Sequence, residues 1–145
     1  LTTDNAGGKI VLTADAGLVD AKVAYGWTDK EGGIVALDRD ATTSLIGWNL
    51  WLNDKTDADY WQAVLGFDIL SNLNLSANYG NLQYSPSATS DVEQEEVYAQ
   101  LLYKMSKNFS TYIRYGTYTM DTTTSTGNTE NNDDTRGRLQ VEYTF

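Results

Sequence analysis

The sequence predicts an all-β fold, an antiparallel up-and-down transmembrane β-barrel, and three observations predict it. Successive segments alternate apolar and polar residues with period two, which places the two sets on opposite faces of a strand. Aromatic residues gather at the two ends of the apolar faces, as they do where a protein surface meets the two edges of a bilayer. The later connections alternate short and long, the pattern of a meander with tight turns on one side and large loops on the other.

Taken in order, residues 1–8 are small and polar and read as a frayed start of a mature, processed or partial chain. Ile10, Leu12 and Ala14 then alternate with Lys9, Val11 and Thr13 in a short strand, which a tight turn at Asp15-Ala16-Gly17 closes. Val19, Ala21, Val23, Tyr25 and Trp27 oppose Asp20, Lys22, Ala24 and Gly26 in the second. Further on, Trp61, Ala63, Leu65, Phe67 and Ile69 oppose Gln62, Val64, Gly66 and Asp68, and Ser71-Asn72 is a minimal turn. Residues 73–84 continue with Leu73, Leu75, Ala77 and Tyr79 on one face, and 85–94 read as a loop holding the only proline. Val97, Ala99, Leu101, Tyr103 and Met105 form the next apolar face, and after a turn at 106–108 Phe109, Thr111, Ile113, Tyr115 and Thr117 form another. A Thr/Asn-rich acidic loop is expected over 120–134. The last strand, 135–145, sets Leu139, Val141, Tyr143 and Phe145 against Arg136, Arg138, Gln140 and Glu142. Phe67, Tyr103, Phe109, Tyr143 and Phe145 then mark a lower rim, and Tyr25, Trp27, Trp61, Tyr79 and Tyr115 an upper one.

Residues 29–59 do not alternate cleanly. If the turn at Asp15 is periplasmic, direction of travel makes this stretch one long outer loop. Its apolar run LIGWNLWL, residues 45–52, should pack on the barrel rim or fold into the lumen as a constriction. A rival reading pairs Ile34–Leu37 with Leu45–Leu52 as strands, but four residues are too few to cross a bilayer. About seven spanning strands result, an odd number where single-chain barrels are nearly always even. Either the chain is the C-terminal part of a larger barrel, or it is an eight-stranded barrel with one strand miscounted. The short opening strand and the charged inner face favour the first.

Composition removes most chemistry. With no histidine, Ser-His-Asp catalysis, most zinc chemistry and most neutral-pH proton shuttling are unsupported, so no enzyme is expected. With no cysteine there is neither a disulfide framework nor a thiolate site. A net charge of −10 argues against nucleic acid as a partner. No cofactor is expected. The acidic stretches 29–59 and 121–134 offer Asp and Asn oxygens of the kind calcium takes, without the spacing of a helix-loop-helix calcium site, and a solvated loop is the commoner explanation.

The face opposite the apolar one supplies the candidate functional residues: Asp68, Gln100, Lys104, Tyr112, Arg114, Arg136, Arg138, Gln140 and Glu142, a charged wall able to shape the field on passing ions. Arg114 stands out, with Gln100 expected opposite it and, across its other edge, Gln140 or Glu142. The competing reading is a structural ion pair inside a small plugged barrel.

The amphipathic last strand ending on Tyr143 and Phe145 resembles the C-terminal assembly signal of bacterial outer-membrane barrels. DADYWQAVLGFDI, LSNLNLSANYG, VYAQLLYKMSKNFSTYIRYGTY and RGRLQVEYTF together resemble the C-terminal portion of the major outer-membrane porins of Campylobacter and its relatives, which share the fold of OprD-type channels. The resemblance covers about the last two-thirds of the chain. It implies a barrel of roughly 16–18 strands, a trimer, a place in the outer-membrane lipid, and passive passage of small hydrophilic solutes. A non-conducting adhesive barrel and a soluble β-sandwich binding module are the alternatives.

Overall fold

The computed structural model describes residues 5–32 and 45–145. Seven strands make one antiparallel sheet in sequence order: β1 (Gly7–Asp15), β2 (Val19–Thr28), β3 (Asp59–Leu70), β4 (Leu73–Ser87), β5 (Ser90–Lys104), β6 (Phe109–Thr124) and β7 (Thr129–Tyr143). The sheet is not closed, and no helix occurs among the described residues. The turns 16–18, 71–72 and 105–108 lie at one end, here called the turn end. There Asn108 and Thr144 clamp the last strand, Thr144 N–H donating to the Asn108 carbonyl at 2.8 Å and Asn108 Nδ2 to the Thr144 carbonyl at 2.7 Å.

Two of the expected loops are strand. β4 and β5 run on to a two-residue connection at 88–89, so most of 85–94 belongs to the ladder, Tyr84 pairing with Val92. Likewise β6 and β7 extend to a turn at 125–128, with Thr123 opposite Thr129 and Thr119 opposite Asp133. These extensions carry Thr, Asn, Gln and carboxylates on both faces, so hydrogen bonding between strands shapes them without an apolar stripe. The register corrects a second expectation. Arg114 pairs with Gln100 on β5, as expected, but on β7 its partner is Arg138; Gln140 faces Tyr112 and Glu142 faces Ser110.

Burial is inverted relative to a water-soluble sheet. Along β3 the apolar residues Trp61, Ala63, Leu65, Phe67 and Ile69 are exposed, while Tyr60 and Gln62, on the alternate positions, are buried. The same alternation runs through β5, where Val97 and Leu101 are exposed and Gln94 and Glu96 are buried. Among the described residues no second sheet covers the apolar face.

The core instead lies on the polar face, under the returning end of the β2–β3 connection. Leu45, Leu50 and Leu52 pack onto Ala24, Tyr60, Leu82 and Ala58, with Tyr84 and Tyr118 beside them. Residues 45–52 fold back on themselves: Gly47 N–H donates to the Leu50 carbonyl at 2.7 Å and Leu52 N–H to the Leu45 carbonyl at 3.1 Å. Ile34–Leu37, the proposed strand partner of this segment, lies outside the described residues. The hairpin comes close because the strands beneath it carry glycine. A Cβ on Gly26 would stand 2.7 Å from Leu52 Cδ2, and one on Gly80 would stand 3.1 Å from Leu50 Cδ1.

Candidate functional site

Period-two geometry gives every strand one mainly apolar face, here called outer, and one mainly polar face, here called inner, and the register stacks the outer residues in rungs across the sheet. Ala21, Leu65, Ala77, Ala99 and Tyr115 share one rung; Val19, Phe67, Leu75, Leu101, Ile113 and Leu139 share the next. Further from the turn end the same face changes character. The rung that begins with Ile10, Tyr25 and Trp61 continues as Asn81, Glu95, Thr119 and Asp133. The boundary between apolar and polar is therefore oblique, and aromatic rings mark it: Trp61 on β3, Tyr79 one rung lower on β4, Tyr115 one rung lower again on β6. At this boundary hydroxyls meet carboxylates, Tyr25 donating to Asp59 and Tyr79 to Glu95 at 2.9 Å.

The nine candidate residues all fall on the inner face, but they form two groups. Near the turn end, Asp68 accepts a hydrogen bond from Asn74 Nδ2 at 2.8 Å, and it shares the lining of a small cavity with Asn74, Leu102 and Lys104. Glu142 lies toward the same end through its pairing with Ser110. The other group surrounds the tip of the 45–52 hairpin. Arg114 donates through Nε to Gln100 Oε1, and its guanidinium lies over Tyr112 at 4.5 Å, Tyr98 at 5.5 Å and Trp48 at 6.0 Å from the ring centroids. Arg138 stands 5.9 Å from the centroid of the same Trp48 ring. Tyr112 donates its hydroxyl to Gln140 Oε1. Arg136 forms an ion pair with Asp134 at 2.7 Å, lies over Tyr118, and donates through Nη1 to Asn49 Oδ1 at 2.7 Å. Three guanidiniums thus face one indole and three phenols, which hold the positive charges in place; Asp134 offsets that of Arg136 alone.

Sequence reasoning did not find the residues that fasten the hairpin. Glu96 takes Trp48 N–H on one oxygen at 2.9 Å, and on the other Asn49 N–H at 2.7 Å and Asn49 Nδ2 at 3.2 Å. Gln62 donates to the Ile46 carbonyl at 2.8 Å and to the Tyr60 hydroxyl at 2.8 Å. Farther along the connection, Lys55 Nζ lies 4.4 Å from the centroid of Tyr84 and 5.2 Å from that of Trp51. The run LIGWNLWL was the available signal; which face it would meet was not encoded in any spacing.

Among the described residues no three Asp or Glu side chains are grouped so as to hold a metal ion. Some acids of the expected cation loops are engaged locally: Asp59 accepts from the Tyr25 hydroxyl, and Asp134 pairs with Arg136 at 2.7 Å.

No protein-family model, curated protein or solved structure matches this chain.

Proposed function

We propose that this chain forms part of an outer-membrane porin, a β-barrel channel that lets small hydrophilic solutes and ions diffuse through the bacterial outer membrane. The observation that carries the reading is the oblique apolar band. From Trp61 to Tyr115 the upper rim falls two rungs, or four residues, over three strand steps; from Phe67 to Tyr143 the lower rim falls four residues over four. With about 3.3 Å per residue and about 4.8 Å between strands, those slopes correspond to about 35–42°. Strands in membrane barrels tilt by about that amount from the barrel axis, which lies along the bilayer normal. A contiguous exposed apolar face of this extent needs a partner, and lipid supplies one that explains both rims.

Closure supports a larger barrel. β1 and β7 both run toward the turn end, so joining them directly would make a parallel pair. An antiparallel closure needs an odd number of further strands, which brings the total to an even number. Eight strands leave an interior that side chains or one small ligand fill, whereas here a polypeptide hairpin lies on the inner face. The lumen is therefore wider than that, wet, and narrowed by residues 45–52. The resemblance to Campylobacter-type porins adds the expectation of a trimer.

The test is conductance. Protein folded in detergent, migrating differently before and after boiling, should open discrete channels in a planar bilayer. Stable solubility without detergent, or folded protein that never conducts, would count against the channel. Two further results are expected. Deleting Phe145, which packs edge-to-face on Tyr143 at 5.2 Å, should sharply lower the yield of inserted protein; an undiminished yield would remove Phe145 from assembly. The channel should prefer cations modestly at low salt, because the chain carries 20 acidic and 10 basic residues. That preference should fade as the Debye length falls from about 10 Å at 0.1 M to about 3 Å at 1 M. Arg114→Ala should strengthen it, read as a shift of reversal potential across a salt gradient; identical potentials would take Arg114 out of the conducting path.

A further inference from the structure

The tip of the hairpin and its base are held by different means. The base, Leu45, Leu50 and Leu52, is buried against the sheet, and Gln62 reaches the Ile46 carbonyl. The tip, Trp48 and Asn49, presents two consecutive backbone N–H groups, and both point at the carboxylate of Glu96. Successive N–H groups converging in this way form a concavity suited to an anion, and here the anion is a side chain from β5. Its neighbours leave it room and no alternative. Gly80, opposite Glu96 on β4, would bring a Cβ to 3.2 Å from Glu96 Cγ, and a Cβ on Gly47 would collide with Glu96 Oε1 and the Tyr60 hydroxyl. Only 2 % of Glu96 is exposed. Arg114 is the cation whose field reaches it.

We propose that Glu96 is a positioning residue that fixes the tip of the 45–52 hairpin over the inner face, and so sets the width and steadiness of the passage. The proposal rests on the porin reading above. Trp48 is the moving part: its indole lies beside Tyr98 at 5.2 Å and under Arg114 and Arg138, so releasing the tip shifts the aromatic surface on which those cations rest.

Glu96→Gln preserves shape but replaces one acceptor oxygen by a donor, which faces N–H groups it cannot satisfy. Charge-assisted bonds to backbone N–H are among the stronger ones, so the Trp48 and Asn49 amides should exchange hydrogen roughly tenfold faster or more. Amides of β3 and β4 should be unaffected. In a planar bilayer the variant should show a changed unitary conductance and added open-channel noise. Asn49→Ala, which removes the one side-chain bond to Glu96 and with it the Arg136 bond to Asn49 Oδ1, should move both readouts the same way, less far, and combine non-additively with Glu96→Gln. Glu95→Gln, on the outer face, is the control and should match the wild type. Unchanged exchange at Trp48 and Asn49 together with wild-type conductance and noise would overturn the proposal. If the wild type never conducts, the channel reading falls, and faster exchange at the two amides in Glu96→Gln still decides whether the carboxylate holds the tip.

Discussion

Leu101→Arg or Ile113→Arg should cost about 2–4 kcal/mol of inserted stability, the range for a cation on the lipid face near the middle of a bilayer. Both side chains belong to the rung of Phe67, Leu75 and Leu139, inside both aromatic rims, and both are exposed. Gln100→Arg, one residue away, is the matched comparison. Gln100 lies on the inner face, accepting from Arg114, so arginine there loses one hydrogen bond and sets like charges opposite each other, at roughly 1 kcal/mol or less. Denaturant unfolding from lipid vesicles, followed by tryptophan fluorescence, compares the three. Equal losses at positions 100 and 101 would mean that both faces are dry, and the lipid-facing assignment would fail.

That comparison is possible because facing was legible in the sequence. Lipid or water on one side and a polar interior on the other enforce alternation, and a one-residue slip would turn every side chain of a strand over. All seven strands, their parity and the turns at 71–72 and 106–108 could be read on that basis. Where both faces are polar the signal vanishes. Residues 85–94 and 120–134 resembled loops because Thr, Asn and Asp satisfy water equally well in strand or coil. The register of β7 followed from the same gap. TTTSTGNTENN offers several places to turn, the chain turns at 125–128, and Arg114 therefore meets Arg138 instead of Gln140 or Glu142. The hairpin was visible as an apolar run, but its docking depends on contacts between residues far apart in sequence. Glu96 and Trp48 are 48 positions apart, and the glycines that admit the hairpin, Gly26 and Gly80, carry no local mark of that role.

Leu50→Ala should undo the docking of the hairpin while leaving the sheet intact. Leu50 is 0 % exposed, and it packs with Leu45 and Leu52 against Tyr60 and Leu82, over the space left by Gly80. Truncating a buried leucine to alanine costs about 2–5 kcal/mol, depending on how far the site collapses. Here the strands carry their own ladder, and on the porin reading their other face meets lipid, so the loss falls on the contact between hairpin and sheet. Hydrogen exchange should therefore accelerate at the Gly47 and Leu52 amides, whose acceptors are the Leu50 and Leu45 carbonyls, and leave the β3–β5 ladder protected. Migration before and after boiling should match the wild type, and the unitary conductance should rise as the hairpin leaves the lumen. This differs from the expected effect of Glu96→Gln, which loosens Trp48 and Asn49 with the base still seated. Loss of heat-dependent migration in Leu50→Ala would make the hairpin part of what folds the sheet. Unchanged conductance with accelerated exchange would place residues 45–52 beside the conducting path instead of across it.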